Sequence, residues 1–330
     1  MNSGHAPQQR KSAVQHDWSR QFDQWRQLLA RCGEKASRKR AHTLRVATLR
    51  LKAEIDFRRH CQGSADEMNE AAKGWKKQAG RLRKALGPVR DTDVHRQILE
   101  KLRAADGLRG KMSHLTPACL EEIKEVEKLL GEERESAEKE LHKEIDKLQN
   151  RLERASRELE EALTAKNEWA ENDRSRLIRG IVAGLATEVV ALNADTLHAF
   201  RKQAKTARYL ADASAKKDAL GARQAALLKR MQNASGKWHD LQTLAERAAG
   251  LMGKTGGSEL LDILGTLAHQ SYENALEVCR DTMGELLAHG AKMGAGTLSL
   301  PPKKPVQSEK ATRVFGGARS ARGARRSMAG

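Results

Sequence analysis

Two stretches of this chain, 156 residues apart, set a histidine and several cations at helical spacing. The first is His42-Thr43-Leu44-Arg45-Val46-Ala47-Thr48-Leu49-Arg50-Leu51-Lys52, or H-x2-R-x6-K. The second is His198-Ala199-Phe200-Arg201-Lys202-Gln203-Ala204-Lys205-Thr206-Ala207-Arg208, or H-x2-R-x3-K-x2-R. At about 100° per residue, offsets of 0, 3, 7 and 10 fall within roughly 80° of arc, so each stretch projects a column about 15 Å long from one helix face. Like charges three or four residues apart repel. Assembling such a column makes sense only against a long polyanion. Arginine offers phosphate oxygens a bidentate fork, lysine a point charge, and a neutral imidazole still donates one hydrogen bond.

A second echo follows each column. Gly87-Pro88-Val89-Arg90-Asp91 and Gly236-Lys237-Trp238-His239-Asp240 share G-x3-D, each after a basic amphipathic run. That order, met twice, is the pattern of a duplicated unit. On the helices between column and G-x3-D, Lys76, Lys77, Arg83, Lys84, Lys229 and Arg230 add charge, and Arg90 follows within the first G-x3-D.

The elements that must hold these residues are helices. Apolar residues recur at three- and four-residue steps almost throughout, and strand-like alternation is nearly absent. The pattern predicts helices over about 17–32, 38–61 and 66–86, the last stopped by Gly87-Pro88, with Asp91 or Asp93 capping another through about 105. Gly107 to Pro117 reads as a linker. From Pro117 to Ala165 one apolar stripe runs through Leu130, Ala137, Leu141, Ile145, Leu148, Leu152, Ala155, Leu159 and Leu163, as in a coiled-coil hairpin or an extended bundle helix. Its charged faces read as solvated. Further helices are expected at about 173–192, 195–213, 220–235, 239–252 and 258–289. The expected fold class is all-α, two pseudo-symmetric helical bundles from an internal duplication, with a long helical hairpin or linker. Residues 1–15 and 290–330 are expected to be disordered, the latter for its Pro, Gly and Ser/Arg content.

Composition sets the bounds. The chain has 330 residues, 39% hydrophobic and 3% aromatic, with a net charge of +18. The charge is uneven: Gly290 to Gly330 carries nine Lys or Arg against Glu309 alone, whereas Pro117 to Ala165 carries fifteen acids against nine bases. A basic whole with an acidic middle implies an anion site on part of the surface. Cys32, Cys61, Cys119 and Cys279 are scattered, with no C-x-x-C pair, and read as reduced thiols. Met1 to Gln15 has no apolar core of a secretory signal, and no run reaches the ~18 uncharged residues of a membrane span. A soluble cytoplasmic protein is expected; nothing in the sequence bears on its oligomeric state.

The two columns and two G-x3-D segments resemble the CHAD family, the conserved-histidine α-helical domain. His42, Arg45, Val46, Arg50 and Lys52 are similar to its H-x-x-R-V-x-x-R-R-x-R, and Gly87 to Val94 is close to its L-G-x-x-R-D-x-D-V. His198, Arg201, Lys202, Lys205, Arg208 and Tyr209 match H-x-x-R-K-x-x-K-x-x-R-Y, with Gly236 to Asp240 as its G-x-x-x-D. The resemblance covers about residues 16 to 289. It implies two pseudo-symmetric bundles around a basic cleft and binding of inorganic polyphosphate, with association to polyphosphate granules in the cytoplasm. Under it, the implied contacts are the columns together with Lys76, Lys77, Arg83, Lys84, Arg90, Lys229 and Arg230. Leu49 stands where the family usually has Arg, and Lys52 replaces another, so the first column should grip phosphate less tightly.

Other readings of these residues stay open at this point. His42 and His198 could pack helices or cap them; Asp91, Asp93 and Asp240 read as caps or as partners orienting arginines. Trp18, Trp25, Trp75, Trp169 and Trp238 read as core anchors. No E-x-E-x-K strand, G-K-[ST] phosphate loop, H-E-x-x-H or G-x-S-x-G is present, so neither catalysis, cofactor nor bound metal is expected. The rival roles are a nucleic-acid or ribosome-associated protein, gripping through Arg313, Arg319, Arg322, Arg325 and Arg326 in the tail, and an accessory subunit of a polyphosphate-metabolising enzyme.

Overall fold

The computed structural model describes residues 6–62, 66–104, 115–165, 171–214, 219–253 and 257–291, all within one compact unit. Every regular element among them is helical: α1 (Ala6–Glu34), α2 (Arg38–Gln62), α3 (Asp66–Arg103), α4 (Pro117–Ala165), α5 (Glu171–Glu188), α6 (Ala194–Ser214), α7 (Ala219–Met252) and α8 (Glu259–Ala291), with a short 3-10 turn at Val189–Ala191. The basic tail from 292 on, the 107–114 part of the expected linker and Trp169 lie outside the described residues.

Two expectations are corrected and one is narrowed. α1 starts at Ala6 rather than near Asp17, so residues 6–15 of the expected disordered segment are helical. Pro7 falls in the first turn, where its missing N–H costs nothing, and no breaker follows it. Of the two forms the apolar stripe allows over 117–165, the chain takes the extended one, a continuous helix of 49 residues. Gly87-Pro88 and Gly236-Lys237 do not end helices either: α3 and α7 run straight through both. Pro88 is exposed, so the Lys84 carbonyl it leaves without a donor faces the solvent side, while Leu86 and Val89 on the other face are fully buried. Burial of that face overrides the local breaker.

The apolar interior falls into three clusters. Trp18, Phe22 and Trp25 of α1, Leu44 and Ile55 of α2, Trp75 and Leu82 of α3 and the Leu141–Leu163 stripe of α4 form the first. α5, α6, the first half of α7 and the second half of α8 form the next, around Phe200, Leu210, Met231 and Trp238. The first draws on α4 and the second on Ala53 and Phe57 of α2, so neither is confined to one of the two expected repeats. The third gathers the far ends of α3 and α7 with the starts of α4 and α8, through Leu99, Ile123, Leu130, Leu244 and Leu264. Val89 still belongs to the first cluster and Leu99 to the third; Trp238 belongs to the second and Leu241 to the third. The G-x3-D segments therefore mark where α3 and α7 leave their own bundle for a shared one.

Helix ends and ion pairs fix the frame. Ser37 caps α2, its Oγ accepting from Arg40 N at 3.4 Å, and Asn193 caps α6, its Oδ1 accepting from Thr196 N at 3.0 Å. His42 and His198 each stand five residues after their cap, so both columns start at the same helical register. Arg134 of α4 donates to Asp93 of α3 at 2.9 Å and to Glu138 at 2.8 Å. Arg174 of α5 makes a two-pronged contact with Glu54 of α2, both bonds 2.6 Å, and lies 4.3 Å over the Phe57 ring. The side chains of Arg174 and Glu54 are only 4% and 14% exposed. Removing Arg174 leaves the Glu54 carboxylate largely out of water without its two-pronged partner. Arg174→Leu should lower unfolding free energy by about 3–5 kcal/mol, and adding Glu54→Ala should recover most of it; denaturant midpoints at constant slope give the comparison.

Candidate functional site

α2, α3, α6 and α7 enclose a cavity of about 1310 Å³. α2 packs on α3 and α6, and α3 on α7, so the helices carrying the four motif segments meet around one space. Nine Lys or Arg line it against three carboxylates: Arg45 and Arg50 from α2, Arg90 and Lys101 from α3, Arg201, Lys202, Lys205 and Arg208 from α6, and Lys237 from α7, with Asp91, Glu100 and Asp240. His42, His198 and His239 are also in the wall. A side chain added at Gly236 would meet nothing within 4 Å, so the bare glycine there leaves open space.

The two columns thus face each other, with one exception. Lys52 reaches back to Asp56 at 2.5 Å, and Lys76 of α3 takes the other oxygen of the same carboxylate at 2.5 Å. Burial would raise the Asp56 pKa, but these two ammonium groups outweigh it and hold the carboxyl below its ordinary value. Lys77, Lys84, Lys229 and Arg230 are exposed and absent from the cavity wall; Arg230 is engaged with Thr282 at 3.0 Å and Glu285 at 2.7 Å. Arg83 enters only through its backbone carbonyl, which accepts from Arg45 Nη1 at 2.9 Å. Of the sixteen candidate residues, the structure brings nine into the cavity: His42, Arg45, Arg50, Arg90, His198, Arg201, Lys202, Lys205 and Arg208.

Sequence reasoning passed over Lys101, Gln97, Gln232, Asn233 and Lys237 as site residues, and quoted Tyr209 and His239 without placing them there. The signal was present. Once α3 continues past Pro88, positions 90, 94, 97 and 101 lie on one face at three- and four-residue steps.

Arg90 clasps the two halves together. Its Nη1 donates to Asp91 Oδ1 at 2.9 Å and to Asp240 Oδ1 at 2.9 Å, and its Nη2 to Asp240 Oδ2 at 3.0 Å. Burial opposes its charge, yet these carboxylates prevail and raise its pKa. Asp91 and Asp240 are therefore partners of an arginine, and being inside helices they cap nothing. Asp212 similarly sits between Arg208 Nε (3.5 Å) and Arg50 Nη2 (3.7 Å), and Arg208 also donates to Gln232 Oε1 at 2.9 Å.

The remaining cations are crowded rather than paired. Burial and the neighbouring Arg45, Arg201, Arg90 and Arg208 push the Lys205 ammonium down to about 8. Arg45 and Arg201 are both lowered by burial, and Arg201 Nε is buried with no hydrogen-bond partner. His42 is lowered by burial, Arg90 and Lys205; His198 by burial, Lys202 and Arg201. His239, its ring centroid 5.0 Å from that of His198, is pushed down to about 4 by burial, Arg201 and His198. At neutral pH the three imidazoles are uncharged donors among fixed cations. The arrangement can hold a multiply charged anion by charge and by directed N–H bonds.

Trp18, Trp25, Trp75 and Trp238 are core residues, 0–7% exposed. The four thiols are free; burial holds Cys32 and Cys119 up at about 11 and Cys279 at about 12. Among the described residues no group of three His, Cys, Asp or Glu could hold a metal ion, and no helix is long and apolar enough to cross a membrane.

A comparison with curated proteins finds no match. Among solved structures, PptA from Streptomyces chartreusis shares the fold, with a TM-score of 0.56 and 15% identity, over 84% of this chain and 99% of that one. The CHAD domain model matches residues 17–249, a span that contains both columns, both G-x3-D segments and every cation of the cavity wall, and the chain belongs to that family.

Proposed function

We propose that this chain binds inorganic polyphosphate in the cavity between α2, α3, α6 and α7, without turning it over, and that binding places it on polyphosphate stores in the cytoplasm. The observation that carries the reading is nine Lys or Arg against three carboxylates around one space. Two of those carboxylates, Asp91 and Asp240, are committed to Arg90 and are not free to act as bases. Polyphosphate carries about one negative charge per unit and no bases, so repeated cations without a reading frame suit it. Nucleic acid is the rival polyanion. Single-stranded nucleic acid is usually held on exposed aromatic faces; here Tyr209 is 7% exposed and Trp238, at 7%, belongs to the core.

The test is a competition titration of the full chain with labelled long-chain polyphosphate at about 150 mM salt, using single-stranded RNA and duplex DNA as competitors at equal phosphate concentration. Polyphosphate should win by about tenfold or more, and affinity should fall by roughly two to three orders of magnitude between about 50 and 200 mM salt as counterions are released. Reversing Arg45, Arg201, Lys205 and Arg208 to Glu should abolish binding with the helical circular dichroism retained. Lys77→Glu with Lys229→Glu, outside the cavity, should change affinity by about twofold or less, as expected of exposed charges screened by salt. Equal competition by nucleic acid, or binding that survives the charge reversal, would sink the reading.

Binding should also be linked to protons. In the free protein Lys205 titrates at about 8. A bound phosphate offsets its cationic neighbours and raises that pKa, so the complex retains a proton that the free protein gives up. Affinity should then be full below pH 8 and decline as pH rises through 8 to 9.5. Lys205→Arg keeps the charge and removes the titration, and should flatten that decline. The lowered histidines act in the same direction, strengthening binding only below the ordinary imidazole range of about 6.5.

A further inference from the structure

Lys205 lies in the cavity wall among Arg45, Arg90, Arg201 and Arg208. On its own helix Arg201 stands four residues before it and Arg208 three after, so both share its face. Its ammonium is 5.9 Å from the centroid of the buried Tyr209 ring. Arg50, Arg90 and Arg208 each have a carboxylate within 4 Å, whereas among the described residues Lys205 has none. An amine in that setting has two properties at once: little to hold its proton, and guanidinium groups on either side able to seat a phosphate.

Resting on the reading of this cavity as a phosphate site, we propose that Lys205 is a covalent modification site, acylated by small acyl phosphates that dock through their phosphate on the flanking Arg201 and Arg208. The neutral Nζ attacks the carbonyl carbon of the acyl phosphate. A C–N bond forms, the C–O bond to phosphorus breaks, and inorganic phosphate departs with the electron pair. The surplus proton on nitrogen passes to the departing phosphate or to water, and nothing is oxidised or reduced. The arginines that seat the donor also neutralise the charge growing on its leaving group. Desolvation beside other cations is a recognised way to expose a lysine's nucleophilic form, and a pKa of about 8 agrees with it. Lys202 and Lys237 line the same cavity but are exposed, which makes them internal controls. Acylation removes a charge from the centre of the cluster, so the modified protein would hold polyanions less tightly.

The experiment treats the full chain with acetyl phosphate at pH 7.5 and follows each lysine by peptide mass spectrometry. Lys205 should be acetylated about tenfold or more faster than Lys202, Lys237 and the exposed Lys143: its neutral fraction in the free protein exceeds that of an ordinary lysine (pKa about 10.4) by about two orders of magnitude, and the docked phosphate, by raising its pKa, gives back only part of that. Inorganic triphosphate should protect Lys205 and leave Lys143 untouched. With N-acetylimidazole, a donor lacking phosphate, the preference should shrink several-fold and triphosphate should still protect. Rates at Lys205 no greater than at Lys202 overturn the proposal. So does a fast Lys205 that triphosphate fails to protect, since docking is then absent. Titrating polyphosphate on the same sample separates the two levels: polyphosphate bound by a chain with an inert Lys205 overturns the modification site alone, while no binding and no protection overturns the phosphate reading with it.

Discussion

The structure turns on holding like charges together. Two unit charges about 6 Å apart at an effective dielectric of about 20 repel by roughly 3 kcal/mol. The cavity wall collects nine cations, and it lowers the repulsion in three ways without abolishing it. Arg90, Arg50 and Arg208 are given carboxylates. The three histidines are kept neutral by burial and by their cationic surroundings. Lys205 gives up part of its hold on its proton. What remains without a carboxylate among the described residues, Arg201 and Lys205 above all, is field left for something that enters from outside.

Such a cluster needs a frame that cannot relax apart, and the frame is apolar. α2 illustrates the arrangement: Leu44, Leu51 and Ile55 enter one core, Ala53 and Phe57 another, and only the face between them carries Arg45 and Arg50. The third cluster ties α3 to α7 beyond the cavity. Between the cores, the Arg90–Asp240 pair spans the same two helices with two bonds of 2.9 and 3.0 Å. Its position in the wall means that the clasp also tunes the field, adding one guanidinium and removing most of its charge. The continuity of α3 and α7 through Gly87-Pro88 and Gly236-Lys237 matters for the same reason. Had either helix ended there, the arginine or the aspartate would sit on a loop.

The columns were legible because helical period alone sets their faces: His42, Arg45 and Arg50, and His198 through Arg208, needed no knowledge of neighbours. The family pattern at the same residues located them again. The cations of the second helices were not legible in that way. Lys76, Lys77, Lys84, Lys229 and Arg230 precede the G-x3-D segments, and which way α3 and α7 face there depends on the bundle each has not yet left. Reading Gly-Pro as a stop also cut the register that would have linked Arg90 to Gln97 and Lys101. Lys52 shows the other limit. Its angle on the helix is right, but Asp56 one turn further on holds it, sharing its carboxylate with Lys76 of a neighbouring helix, and an ion pair across helices is invisible in a period. The single length of α4 was equally hidden, because one apolar stripe fits a hairpin and a straight helix alike.

The two walls are not equivalent, and the difference has a consequence for the chemistry. α6 presents four cations, whereas α2 presents two, with Val46 and Leu49 between and beside them. Those two side chains pack against the core that contains Tyr209 and Ala204 of α6, so the space next to Lys205 is bounded partly by hydrocarbon. An arginine at Leu49 would add a charge to an already crowded face; a leucine adds none and excludes water instead. Charges facing an anion across a drier gap act through a lower dielectric, which strengthens each contact with the anion and, in its absence, each repulsion between the cations. The leucine that costs the first column a charge therefore sharpens the second. An anion entering the cavity would be held mainly by α6, with α2 serving as its low-dielectric opposite wall, and the charge of Lys205 would be the quantity most responsive to whether the cavity is filled.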